Sequence, residues 1–202
     1  MNSLKKLFPS LFLIIIILFT LTSCSGVTPP PPPPPPSEHG EIADSHKVTA
    51  IAPYYETEQG MHYCLISAAT IVTNYESSQK VLTQQELAAA IFGTVGANPN
   101  DLVNYINGRS DLNLKAEIKY LSILEIQRML EDDIVPLVGS KSGTDVYLTV
   151  GYDKIKEEVI IYATLDGKEV TGNQFVAFNL DNNKSVMIIN QEKLSTYWEN
   201  LL

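Results

Sequence analysis

The chain has 202 residues, a formal net charge of −9 and an isoelectric point near 4.8. No stripe of clustered Lys and Arg is present, which excludes a general nucleic-acid binder, since phosphate contacts need such clusters. The two cysteines and three histidines show none of the spacings of a zinc site, and GTVGANPND lacks the spacing and preceding strand of a phosphate loop. No metal and no cofactor is therefore expected.

In chain order, Lys5 and Lys6 come first, then the continuous apolar run LFLIIIILFTL, then Leu21-Thr22-Ser23-Cys24. A positive flank, a short apolar core and small residues before a cut site describe an export signal over residues 1–23. The final tetrapeptide resembles the lipobox of bacterial lipoproteins, which implies that Cys24 is diacylated and becomes the new N-terminus. An uncleaved anchor is the alternative, but the run is shorter than the roughly 20 residues that span a bilayer. On either reading the rest of the chain lies outside the cytoplasm, held at a membrane in the cell envelope. Ser25 stands where inner-membrane retention is associated with aspartate, which favours the outer membrane of a two-membrane cell.

Pro29 to Pro36 are unbroken. Eight prolines form a polyproline II rod of about 25 Å, so residues 24–45 read as a lipidated cysteine followed by a semi-rigid spacer. With Cys24 lipidated, Cys64 is the one thiol left in the exported part and no internal disulfide can form. Such a cysteine is either buried and inert or kept for reactivity.

Residues 46–202 are expected to form one domain. A chain of about 155 residues buries close to 70% of its unfolded surface, enough for a single core. Cys64, Ala68, Ile71, Val72 and Tyr75 recur at helical spacing. Thr83 and Glu86 make a capping box for a second helix that Gly93 stops; Asn98 or Asn100 caps a third that Gly108 ends. Ser122, with Glu125 three positions on, opens a fourth whose Ile126, Met129 and Leu130 face inward. After Pro136 the period changes: VPLVGS, DVYLTVGYD, EEVIIYATLDG, NQFVAFNL and KSVMIINQ are β-branched and aromatic runs between turns. Leu194, Tyr197, Trp198 and Leu201 suggest a closing helix. EDD at 131–133 reads as a solvated helix end and LDNNKS as turn chemistry. Helices first and an antiparallel sheet after them give an α+β class with segregated elements.

The pattern EQGMHYCLISAATIVTNY, followed by EIQRMLEDDIVPLVGS and a strand ending VGYD, resembles the papain-like cysteine peptidases. Within them it is most similar to the bacteriocin-leader peptidases and short bacterial papain-like domains. The resemblance covers about residues 50–200. It implies a papain-like fold, Cys64 as nucleophile and Gln59 as oxyanion donor, the latter one position off the family's commonest spacing. The histidine position, aligned on VGYD, is held by Asp145. The third, orienting member falls at Thr164 or Leu165, and Asp166 could serve only if the register slips.

The chemistry explains why that aspartate matters. A histidine must share the thiol proton and later protonate the leaving amine. The reference pKa values of Asp and Cys differ by about 4.6 units, or roughly 6 kcal/mol against a thiolate–acid pair. An ionised carboxylate also raises a neighbouring thiol's pKa. Of the histidines, His39 lies in the linker region, His46 at the domain edge, and His62 two residues before Cys64, pointing away if that segment is extended and approaching it only through an unusual loop.

The expected function is therefore a membrane-anchored lipoprotein whose degenerate papain-like domain binds an extended peptide or protein partner. Two alternatives stay open. One is an active cysteine peptidase that hydrolyses peptide bonds through Cys64 and an unrecognised base. The other is a structural envelope lipoprotein in which Cys64 is a core residue. Tyr54, Tyr55, Tyr63 and Tyr75, clustered around the cysteine segment, either line a peptide groove or fill the core.

Overall fold

In a computed structural model, the residues described are 41–93, 96–143, 145–174 and 177–194. The export signal, Cys24, His39 and the proline tract lie outside the described residues, as do Tyr197, Trp198 and Leu201 of the expected closing helix. Among the described residues no helix is long and apolar enough to cross a membrane.

The chain enters through β1 (Ser45–Lys47) and a 3-10 helix (Thr49–Tyr54). Helix α1 (Cys64–Glu76) is the structural centre. Sequence spacing predicts one apolar face, but the helix is buried from Leu65 to Asn74 and again at Glu76. Small Ser67, Ala68 and Ala69 let neighbours approach closely on what would otherwise be a solvent face. It packs on β5, β6 and β9 of the sheet and on α2.

Helix α2 (Gln84–Ile91) starts at the expected capping box, with the Thr83 hydroxyl accepting from Glu86 N and the Glu86 carboxylate accepting from Thr83 N. A two-residue pair, β2 (Phe92–Gly93) and β3 (Gly96–Ala97), then leads to α3 (Pro99–Gly108). Asn98 caps α3 and Pro99 opens it, where its missing N–H costs nothing. Helix α4 (Ile123–Glu131) carries the second capping box, Ser122 with Glu125.

The large sheet has the order β4-β9-β5-β6-β7-β8, with β1 pairing β6, and every pairing is antiparallel. Its remaining strands are β4 (Leu114–Leu121), β5 (Leu137–Gly139), β6 (Val146–Asp153), β7 (Glu158–Ala163), β8 (Lys168–Asn173) and β9 (Asn183–Asn190). One edge of β6 is tiled by two short strands: β5 meets residues 146–148 and β1 meets residues 151–153. The α+β class and papain-like architecture agree with the sequence reading.

Three local expectations need correction. Among the described residues of NQFVAFNL only Asn173 belongs to a strand; that strand, β8, lies earlier because Asp166-Gly167 turns the chain directly back along β7, with Gly167 at φ +69°. The chain then leaves the sheet, since Ala177 N bonds Asn173 O and Leu180 N bonds Gln174 O. The helices do not all precede the sheet, because β1 comes before them and β4 falls between α3 and α4. EDD is more than a solvated end: Glu131 Oε1 accepts from Ala43 N at 2.6 Å and from the Tyr152 hydroxyl at 2.9 Å.

The glycine of VGYD has a steric reason. A Cβ on Gly151 would stand 2.8 Å from the His46 carbonyl oxygen and 3.2 Å from Lys47 Cα, so β1 could not lie against β6. The β6–β7 register shifts between Thr149 and Gly151, and Val48 N bonds Val150 O at the same place.

Candidate functional site

Cys64 is the first residue of α1, and no side chain caps that helix start. The free N–H groups of a helix terminus favour an anion there. Two backbone N–H groups lower the thiol's pKa, that of Leu65 in the same turn and that of Val146 at the start of β6. The fold thus brings the helix N-terminus and the first residues of β6 to one point, 82 residues apart in sequence (146 − 64).

Around that point lies a cleft of about 1090 Å³. Its helical wall is Glu58 to His62, Cys64 and Leu65 together with Gly96, Ala97 and Pro99; its sheet wall is Asp145 to Tyr147 and Ile161 to Leu165. Two exposed apolar side chains are among the lining residues, Met61 at 81% and Leu165 at 76% exposure.

The approach to Cys64 is held by side chains distant in sequence. Gln84, fully buried on α2, donates to Thr57 O at 2.8 Å and accepts from Gln59 N at 3.0 Å. Glu58 N donates to Thr164 O at 3.0 Å, and the Thr164 hydroxyl donates to Glu58 Oε1 at 2.7 Å. The Ser67 hydroxyl donates to Glu56 O at 3.4 Å. The Tyr63 ring lies under Gly60, where a Cβ would come within 2.8 Å of it, and packs against Phe92. His62 takes a left-handed conformation, φ 62°, to finish the approach.

Each expected site residue can now be placed. Cys64, Gln59, Asp145 and Thr164 all line the one cleft. Gln59 turns its side-chain oxygen to the Gln85 amide on α2. Thr164, at the end of β7, bonds Glu58 rather than orienting the group at 145. Asp145 is exposed, with its backbone N donating to Ser140 Oγ and its carbonyl accepting from Ser140 N. His62 lines the cleft with Cys64, in a segment that its left-handed conformation keeps from being extended, and His46 sits in β1 with Nε2 3.6 Å from Asp133 Oδ1. None of Tyr54, Tyr55, Tyr63 and Tyr75 lines the cleft. Tyr54 meets Tyr75 edge-on, and Tyr55 stacks on Tyr162 at 3.9 Å.

The thiol's electrostatics run against nucleophilicity. Burial pushes the Cys64 pKa up first, the Glu58 carboxylate pushes it further, and Asp145 adds to it, while the two N–H groups pull the other way. The net direction is upward, so Cys64 is a thiol at neutral pH. Glu58 is the residue that sequence reasoning missed. Its one visible signal was an acid beside the glutamine in the approach segment. Among the described residues no cluster of three or more His, Cys, Asp or Glu is placed to hold a metal ion.

No sequence-family profile and no curated protein matches the chain. Solved structures match its fold, among them two peptidase domains. A double glycine motif protease from an AMS/PCAT transporter, in complex with the leader peptide, superposes with a TM-score of 0.52 at 8% identity, covering 66% of this chain and 89% of that one. The peptidase domain of Streptococcus ComA, a bi-functional ABC transporter involved in a quorum sensing pathway, gives 0.51 at 12% identity over 68% and 98%. The fold is that of the papain-like cysteine peptidases, in the form carried by double-glycine peptidase domains of ABC transporters. At such identities the likeness is one of fold alone.

Proposed function

We propose that this chain is an exported, lipid-anchored envelope protein whose papain-like domain binds an extended peptide in the cleft at Cys64 without cutting it. The observation that carries this reading is the company of the sulfur: two carboxylates, Glu58 and Asp145, act on it where peptide hydrolysis needs an imidazole. A carboxylate at its ordinary pKa cannot hold the proton that a leaving amine requires at pH 7. Peptide binding is supported by the open cleft with apolar residues on both walls, and by the leader peptide bound to a structural neighbour. Anchoring through Cys24, outer-membrane placement and the proline spacer rest on the sequence of residues 1–36. The cleft at Cys64 speaks against a purely structural envelope protein, whose cysteine would lie in the core.

The decisive experiment incubates the full chain with a library of extended peptides and follows both binding and cleavage. Retention of peptide with no cleavage product is expected, in the wild type and in Cys64→Ala alike. Cleavage that Cys64→Ala abolishes would establish the active peptidase instead, and retention of no peptide would remove the binding reading.

A further inference from the structure

We infer that the occupant of the cleft is a peptide presenting a cationic side chain, Lys or Arg, at Cys64, with an apolar residue beside it for Met61 and Leu165. The inference rests on the peptide-binding reading and adds the chemistry of the partner. Glu58 and Asp145 line the same cleft as Cys64, and both carboxylates raise its thiol's pKa, so a group lodged beside Cys64 meets two carboxylates. Thr164 satisfies Oε1 of Glu58, and Oε2 has no partner among the described residues. No Lys or Arg is among the described residues of the lining, and His62 is its one basic side chain. An acidic peptide would place like charges together there, which disfavours it. Met61 and Leu165 complete the pattern, since both are exposed in the lining of this cleft and an apolar residue lodged there would cover them. The net charge of −9 draws the same class of partner from a distance.

The test is a fluorescence-anisotropy titration of the detergent-solubilised full chain with four labelled decapeptides. They differ at two adjacent central positions: Leu-Lys, Leu-norleucine, Leu-Glu and Ser-Lys. Leu-Lys is expected to bind tightest, Leu-Glu about tenfold more weakly, and the other two in between. In the double variant Glu58→Gln, Asp145→Asn the Lys-over-Glu preference falls to near unity. The equal charge change Glu41→Gln, Glu157→Gln, near the opposite end of β6, leaves it in place. If Leu-Lys, Leu-norleucine and Leu-Glu bind equally, the charge preference is refuted while peptide binding stands. If the preference persists in the cleft variant, it arises from overall charge and the inference is likewise refuted. Binding of no peptide refutes both readings together.

Discussion

At Cys64 a single sulfur receives opposing influences, and their balance decides what it can do. Two N–H donors favour the thiolate; burial, Glu58 and Asp145 oppose it and prevail. Removing a carboxylate should therefore free the thiol. Glu58→Gln is expected to raise the rate of iodoacetamide labelling at pH 8 severalfold, and Asp145→Asn to do so by less, read from the pH dependence of alkylation. Equal profiles in wild type and Glu58→Gln would show that the carboxylate does not face the sulfur. Asp145 was legible in the sequence because VGYD fixes the register of β6, and Thr164 because strand β7 ends there. Glu58 was not, since its place beside the thiol depends on the fold of residues 56–63, which Gln84 and Thr164 impose from afar.

Helices α2, α3 and α4 begin where their capping residues say, because a cap is chemistry among four consecutive residues. Strand β4 escaped notice although Leu114, Ala116 and Leu121 are buried; Lys115, Glu117 and Lys119 between them look like an exposed loop. Its edge is closed by one side chain: Asn107 on α3 donates to Ala116 O and accepts from Ala116 N, in the manner of a neighbouring strand.

A similar device follows α1, where buried Asn74 donates to Leu82 O and accepts from Val81 N and Leu82 N, all at 2.8–2.9 Å. Asn74→Ala would orphan three backbone groups and is expected to cost about 3 kcal/mol, measured by urea unfolding. Gly151→Ala tests the other close approach. Driving a methyl into β1 should cost roughly 1–3 kcal/mol, and unchanged stability would mean that β1 does not lie on β6 as described.

Over the whole molecule, the sheet and α1 are locked at the chain's end by a buried carboxylate. Glu76 accepts from Asn190 N at 3.1 Å and from Lys193 Nζ at 3.3 Å, and Lys193 also lies over the Tyr75 ring. Burial raises the Glu76 pKa above its ordinary value, with Lys193 only partly offsetting it. The folded state then binds the proton more tightly than the unfolded chain. Its contribution is full below the unfolded value of about 4.3 and is lost as pH rises through the folded value. Relative to Glu76→Gln, the wild type should lose stability as pH rises through the mildly acidic range above 4.3, seen in denaturation midpoints at successive pH values. A constant difference between the two proteins would show that the carboxyl titrates normally.

The sequence by itself determined the export signal pattern, the helix starts, the strand-rich second half and the α+β class, because each is written in neighbouring residues or in a short period. It also exposed the missing histidine, since that position is counted along one strand. Only the tertiary structure decided that Glu58 and Asp145 share a cleft with the same sulfur, that Gln59 turns to α2, and that Met61 and Leu165 line that cleft together. Those relations join segments from 26 to about a hundred residues apart, and the packing of α1 against α2 and the sheet, which no local pattern encodes, is what brings them together.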